Sequence, residues 1–315
     1  AAVVLALAAA AIPRASAQVW PAKPVRFVGG FPPGGTVDIL QRSLGQKLAE
    51  SWGQPFVVEN RAGAGGTIAT EAAAKSAPDG HTWILLPSGH ATQAAMVRKL
   101  PFDPVGDFAW LTTITTYPMF IAVAADSPVK TFADLLDRAR AAPGKLSFSS
   151  VGIGTGHHLV GEWINAAAGT QLTHIPYKGS AAALTDVLEG RVTVMLETTT
   201  AALPHIRAGK LRALAVTSLS GRQLVPGVPA AEETVPGLAY DSWLGMALAA
   251  KTPPEILARI RQALLETIAQ DDVKKRLVEL GGAAAPATPA EFKTRVERDI
   301  AKFREIVATR KIPTE

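Results

Sequence analysis

The sequence predicts an α/β fold built as two βα lobes. Three observations carry this. Short apolar runs rich in β-branched residues alternate with stretches of helical spacing, the pattern of βαβ units around a parallel sheet. Several of the runs end in glycine-rich loops that feed a helix. The chain is 315 residues long, which suggests two lobes of about 150 residues rather than one core.

The chain opens with an apolar run over residues 1–12, then Pro13-Arg14 and Ala15-Ser16-Ala17. This reads as the hydrophobic part and small-x-small site of an export signal, cleaved after Ala17, with a buried N-terminal helix as the alternative. The run is too short to span a bilayer, which needs roughly 20 apolar residues. The run 25–28 is a buried strand that ends at Phe31-Pro32-Pro33-Gly34-Gly35. The prolines stop the strand, the glycines turn the chain, and a helix opens at Thr36 with Asp38 in its first turn. Such a strand-to-helix turn is either a plain connection or a backbone seat for an anion. In the second case Asp38 holds the helix start, and the amides of Gly34 and Gly35 meet the anion.

Strands follow at 56–59 and 82–86, with a glycine loop over 60–66, a helix over 67–75 and a loop at Pro87-Ser88-Gly89-His90. Apolar runs at 110–115 and 120–124 precede a helix that Thr131 and Asp134 cap. The second half repeats the alternation: strands at 146–150, 172–175, 192–196 and 211–216, helices after 157, over 180–189 and over 203–208. The segment 222–237 holds Pro226, Pro229 and Pro236 and reads as irregular. An apolar strand-like run covers 243–249. Thr252-Pro253-Pro254-Glu255 and Thr288-Pro289-Ala290-Glu291 each read as a Thr cap, a first-turn proline and a Glu three beyond the cap. Each opens a helix with one apolar stripe, as packing helices have.

There is no cysteine, so disulfides and thiolate metal sites are excluded. The net charge of +5 is spread without a lysine–arginine block. That pattern does not fit nucleic acid, and a mild positive field favours small anions instead. Gly152-x-Gly154-x-Gly156 misses the spacing of a dinucleotide fingerprint, so no nucleotide cofactor is expected. His157, His158 and Glu162 supply too few ligands for a metal, and none is expected. Ser88 and His90 do not form a nucleophile–base pair. No constellation of an enzyme is present. Glu197, at a strand end, either receives a ligand hydroxyl or amine or serves as a cap or salt-bridge residue. Lys178, in Tyr177-Lys178-Gly179, is either a ligand cation or a surface charge.

Nearly the whole length after Ala17 resembles a known family through an ordered series of blocks. They are Trp20-Pro21-x-Lys23-Pro24-Val25-Arg26, Phe31-Pro32-Pro33-Gly34-Gly35-x-x-Asp38, Gly53-Gln54-Pro55 and Val57-Val58-Glu59-Asn60-Arg61-x-Gly63-Ala64-Gly65-Gly66. Pro78-Asp79-Gly80, Leu100-Pro101-Phe102-Asp103-Pro104, Pro143-Gly144-Lys145-Leu146, Gly154-Thr155 with His158-Leu159, Pro176-Tyr177-Lys178-Gly179 and the run from Leu203 to Thr217 continue them. The sequence resembles the Bug, or TctC-like, family of extracytoplasmic solute receptors of tripartite tricarboxylate transporters.

The resemblance implies a type II periplasmic-binding-protein fold whose lobes close on a ligand. Residues 18–122 with 232–315 are expected as one lobe and 123–231 as the other. The implied protein is a periplasmic monomer that binds a small organic carboxylate and delivers it to the membrane permease subunits. A sensing role beside a membrane signalling partner is the alternative. The resemblance further implies ligand contacts from three loops: Phe31, Pro33, Gly34 and Gly35; Ser88 and Gly89; Ser150, Gly152, Gly154, Thr155, Gly156 and His157. Tyr177 and Glu197 are expected to join them. The family often has Ser or Thr where His157 stands and Asp or Asn where Glu197 stands, and His81 and His90 also look unusual. Glu197 is thus expected to add an acceptor for a ligand hydroxyl or amino group.

Overall fold

The computed structural model describes residues 20–314; the export signal expected over residues 1–17 lies outside them. Among the described residues no helix is long and apolar enough to cross a membrane. The elements form two sheets with helices packed on them.

The first sheet starts with β1 (Val25–Gly29), α1 (Thr36–Trp52), β2 (Phe56–Asn60), α2 (Thr67–Ala74), β3 (Thr82–Pro87), α3 (Gly89–Met96) and β4 (Phe108–Tyr117). The chain then crosses over. The second sheet is built from β5 (Met119–Ala124), α4 (Phe132–Ala141), β6 (Ser147–Ser150), α5 (Gly156–Ala168), β7 (Thr173–Pro176), α6 (Ser180–Leu188), β8 (Val194–Thr198), α7 (Thr199–Arg207) and β9 (Leu211–Val216). After an irregular stretch the chain returns with β10 (Ser242–Ala249), α8 (Pro254–Ala269), α9 (Asp271–Glu279), β11 (Ala283–Ala284) and α10 (Pro289–Thr309). The strand orders are β11-β4-β10-β3-β1-β2 and β7-β6-β8-β5-β9.

Neither sheet is wholly parallel, as the βα alternation had predicted. β2, β1 and β3 run parallel, as do β7, β6 and β8. β10 lies antiparallel between β3 and β4, and β5 lies antiparallel between β8 and β9. The short β11 also runs antiparallel to β4, and β5 and β10 are each the first strand laid down after a crossing. A strand arriving directly from the other sheet needs no crossover helix, so it can enter in the opposite sense.

The first crossing falls at Pro118, not between 122 and 123. Met119 pairs with Thr198 and Phe120 with Glu197, which places β5 wholly in the second sheet. The apolar run of β5 fits either sheet, so the sequence did not show its partner. The segment 217–241 makes the return crossing, and Tyr240 N–H donates to Thr217 O at 2.9 Å within it.

Thr131 and Thr288 cap α4 and α10 as their spacing predicts, and Thr288 with Glu291 completes a reciprocal box. Thr252 does not cap α8. Its hydroxyl turns back to Ala249 O at 2.7 Å, and Pro253 takes the cap position with Pro254 in the first turn. The separate helix α9 was not predicted, because the sequence reading ran its residues together with those around it. On the outer face of the first sheet, Phe292 of α10 meets Trp110 and Trp243 edge-on. The Trp243 indole N–H donates to Asp299 Oδ2 at 2.9 Å, fixing the helix to the strand.

The glycine loop before α5 serves contact between the lobes. The start of α5 packs against Gly89 of α3 and Tyr240 of the return crossing, and a Cβ on Gly156 would overlap the Tyr240 hydroxyl. Gly156→Ala should therefore cost about 1–3 kcal/mol through overpacking. Urea unfolding checks this, and a midpoint equal to wild type would contradict the packing account.

Candidate functional site

The C-terminal ends of the strands in both sheets meet around one cavity of about 310 Å³. From the first sheet come Phe31 to Val37 after β1, Pro87 at the end of β3 and Tyr117 at the end of β4. From the second come Val151 and His157 after β6, Lys178 to Ala182 after β7, and Glu197 and Thr198 ending β8. Ligands in open α/β sheets bind outside the carboxyl ends of strands, and two such ends face each other here.

Helices α1 and α6 both start at this cavity. Their caps are Gly35 and Gly179, and neither has a side-chain hydrogen bond. The first-turn amides of a helix have no intrahelical acceptor, so Thr36, Val37, Ser180, Ala181 and Ala182 present a partly positive rim. Gly34 corrects the expectation for the first loop. Its N–H donates to Asp38 Oδ2 at 2.9 Å, so it is already used. Burial would raise the Asp38 pKa, but Arg42 and the Gly34 amide outweigh it and hold the carboxyl below its ordinary value. Arg42 pairs with it at 2.9 Å. Asp38 thus braces the turn, as expected.

At the second sheet's edge of the cavity sits a buried carboxylate with an imidazole beside it. Glu197 is 2 % exposed. Its Oε1 accepts from the Thr198 amide at 2.8 Å and the Thr198 hydroxyl at 3.0 Å, and His157 Nε2 lies 3.2 Å away. Oε2 has no hydrogen-bond partner, and neither has His157 Nδ1. Burial pushes the Glu197 pKa up. The charge and hydrogen bond of His157, with Ser180 and the Thr198 amide, more than offset this, and the carboxyl stays below its ordinary range. Glu197 is therefore ionised at neutral pH. Across the cavity the Thr36 and Thr198 hydroxyls meet at 3.0 Å, joining the two sheets.

Of the residues expected to touch a ligand, Phe31, Pro33, Gly34, Gly35, His157 and Glu197 line this cavity. Gly152 and Tyr177 line a smaller neighbour of about 220 Å³ that shares Phe31, Val151 and Lys178 with it. The Tyr177 hydroxyl donates to Asp186 Oδ2. Ser88, Gly89, Ser150, Gly154, Thr155 and Gly156 line neither cavity. Ser88 Oγ is held between Tyr240 Oη at 2.7 Å and Ser242 Oγ at 2.8 Å. Ser150 Oγ meets His174 Nε2 at 2.6 Å. Thr155 caps α5 and donates to Gly152 O at 2.6 Å. Gly154 N–H donates to His158 Nδ1 at 3.2 Å. These groups have their polar atoms engaged inside the protein, and they shape the loop that seats α5.

His158, His90 and His81 are held inside the protein, away from this cavity. His158 stacks on His174 with ring centroids 4.0 Å apart, and burial, with His174 beside it, lowers the His158 pKa to about 3. His90 is buried among Phe102, Phe108 and Trp110, with Nε2 2.6 Å from Pro104 O. Burial lowers its pKa to about 4. His81 packs on Trp20 with Nδ1 3.0 Å from Asp79 O. The sequence reading singled out Lys178 but missed Gly179 to Ala182 as one wall of the site. The signal was there: Gly179-Ser180 follows a strand and opens a helix, as Gly35-Thr36 does.

The Glu197 pair sets a pH dependence. A carboxylate with a lowered folded pKa adds stability above its unfolded value and loses it as pH falls through the folded one. The stability difference between wild type and Glu197→Gln should shift against wild type as pH falls below about 4.5, the ordinary value for the group. Urea unfolding across that range measures the gap, and a gap that ignores pH there would contradict the ionised carboxylate.

The comparisons with known proteins agree with this geometry. Residues 40–311 match the family described as Tripartite tricarboxylate transporter family receptor. A UPF0065 protein in the tcbD-tcbE intergenic region of Pseudomonas sp. strain P51 is 37% identical over 287 residues, covering 89% of this chain and 85% of that one. Protein BugT of Bordetella pertussis is 33% identical over 296 residues, covering 93% and 90%. Among solved structures, R. palustris Rpa4515 with adipate superposes at a TM-score of 0.89, 33% identical, covering 94% of this chain and all of that one. MatC from Rhodopseudomonas palustris with bound malate superposes at 0.87, 29% identical, covering 91% of this chain. The chain belongs to the tripartite tricarboxylate transporter receptor family, the TctC or Bug family of solute-binding receptors.

Proposed function

We propose that the chain is a periplasmic solute-binding protein. It captures a small organic carboxylate between its lobes and delivers it to the membrane subunits of a tripartite tricarboxylate-type transporter. The observation that carries this reading is the pair of helix starts, α1 and α6, one from each sheet, opening on one cavity without side-chain caps. Each terminus favours an anion by about 0.3–1 kcal/mol, more when partly buried. Charge-assisted hydrogen bonds add about 1.5–3 kcal/mol each. A few of them reach micromolar binding, about −8 kcal/mol. The adipate and malate of the two relatives are small carboxylates of this kind.

The lobes of this reading are residues 20–117 with 242–314, and 119–216. A ligand that touches both helix starts binds the closed arrangement better than an open one, and so draws the lobes together about the two crossings. The Thr36–Thr198 contact is the kind of closed-state bond that such a ligand would reinforce.

A thermal-shift screen of carboxylates, amino acids and neutral analogues tests the reading. A binding carboxylate at about 100 times its dissociation constant should add about 2.7 kcal/mol of stability. Shifts produced by neutral compounds alone would sink it. Lys178 is exposed at the rim, so Lys178→Ala should weaken carboxylate binding by only about 0.2–1 kcal/mol. Calorimetry on the same ligand measures that loss.

A further inference from the structure

The cavity holds a negative charge of its own, and that limits what can share it. Glu197 Oε1 is saturated by His157 and by both donors of Thr198. Oε2 is buried and makes no hydrogen bond, with the Ser180 hydroxyl also beside the carboxylate, and Glu197 lines the cavity. An ionised carboxylate has acceptor capacity on both oxygens, and leaving one buried and unmet is unfavourable. Much of the surrounding wall is apolar: Phe31, Pro33, Val37, Pro87, Val151 and Ala181.

The carboxylate is also close to the anion seat. The Thr198 hydroxyl bonds Glu197 Oε1 and meets Thr36 Oγ1 at the start of α1, both at 3.0 Å. The positive features of the cavity are the two helix starts and Lys178, and part of that field is spent on Glu197. One ligand carboxylate can use the remainder. A second would lie beside Glu197 in an apolar enclosure, where like charges disfavour each other.

Resting on the carboxylate reading above, we propose that the ligand is a monocarboxylate carrying a separate proton-donating group, an ammonium, amide or hydroxyl, which fills Glu197 Oε2, and that Glu197 is the residue that excludes dicarboxylates.

The test is calorimetry with two matched series. The four-carbon set is butyrate, succinate, succinamate, γ-hydroxybutyrate and γ-aminobutyrate; the six-carbon set is caproate, adipate, adipamate and ε-aminocaproate. Butyramide and butylamine serve as controls without a carboxylate. Within the length that binds, a donor-bearing monocarboxylate should exceed its dicarboxylate by about tenfold or more in wild type. Glu197→Gln should close that gap, whereas Lys178→Ala should weaken both ligands alike. A dicarboxylate that binds wild type as tightly as its donor-bearing partner overturns the proposal and leaves the carboxylate reading standing. So does a gap that survives Glu197→Gln. Binding of the amide or amine controls alone overturns the carboxylate reading itself. If Glu197→Gln does not fold, the wild-type ordering decides.

Discussion

The start of an α-helix leaves amides without acceptors, and in this protein two such starts face one cavity from opposite sheets. Everything else in the site is arranged around that fact. The glycines at the caps keep side chains out of the way, and Asp38 with Arg42 braces the first turn of α1 from behind. Glu197 and His157 set the charge of the opposite wall. The cavity attracts an anion through backbone geometry, and side chains decide which anion.

The two crossings make that geometry possible. Because β5 and β10 arrive directly from the other sheet, each lies antiparallel among the parallel strands of its host. The parallel strands then keep their carboxyl ends toward the other lobe. The loop from Gly152 to Gly156 closes the gap at the side, where Gly65 approaches Ile153 and Tyr240 covers Gly156. Its glycines answer to close packing between lobes, and its polar groups are used up locally.

Much of this was legible in the sequence. The strand-turn-helix pattern at Phe31 to Asp38 gave the first wall, and Glu197 stood out as a carboxylate at a strand end. The caps at Thr131 and Thr288 were read correctly because a cap is a local arrangement within four residues. What failed was long-range. The glycines at 152, 154 and 156 looked like a ligand cradle, since the approach of Gly65 and Tyr240 leaves no local mark. Ser88 stood in a strand-to-helix loop as a ligand contact, but residues far along the chain, Tyr240 and Ser242, hold its hydroxyl. Thr252 had the right spacing for a cap and lost the place to Pro253, whose fixed backbone suits it. Gly179 to Ala182 was passed over because a single glycine gave it less contrast than its richer neighbours.

The most direct test of the central claim is an amide-resolved NMR titration of the chain with a carboxylate that shifts its melting transition. Seating the anion on both helix starts predicts the largest saturable shifts at the amides of Gly35 to Val37 and Ser180 to Ala182, in both sets together. Saturable binding that leaves either set unmoved would contradict the account.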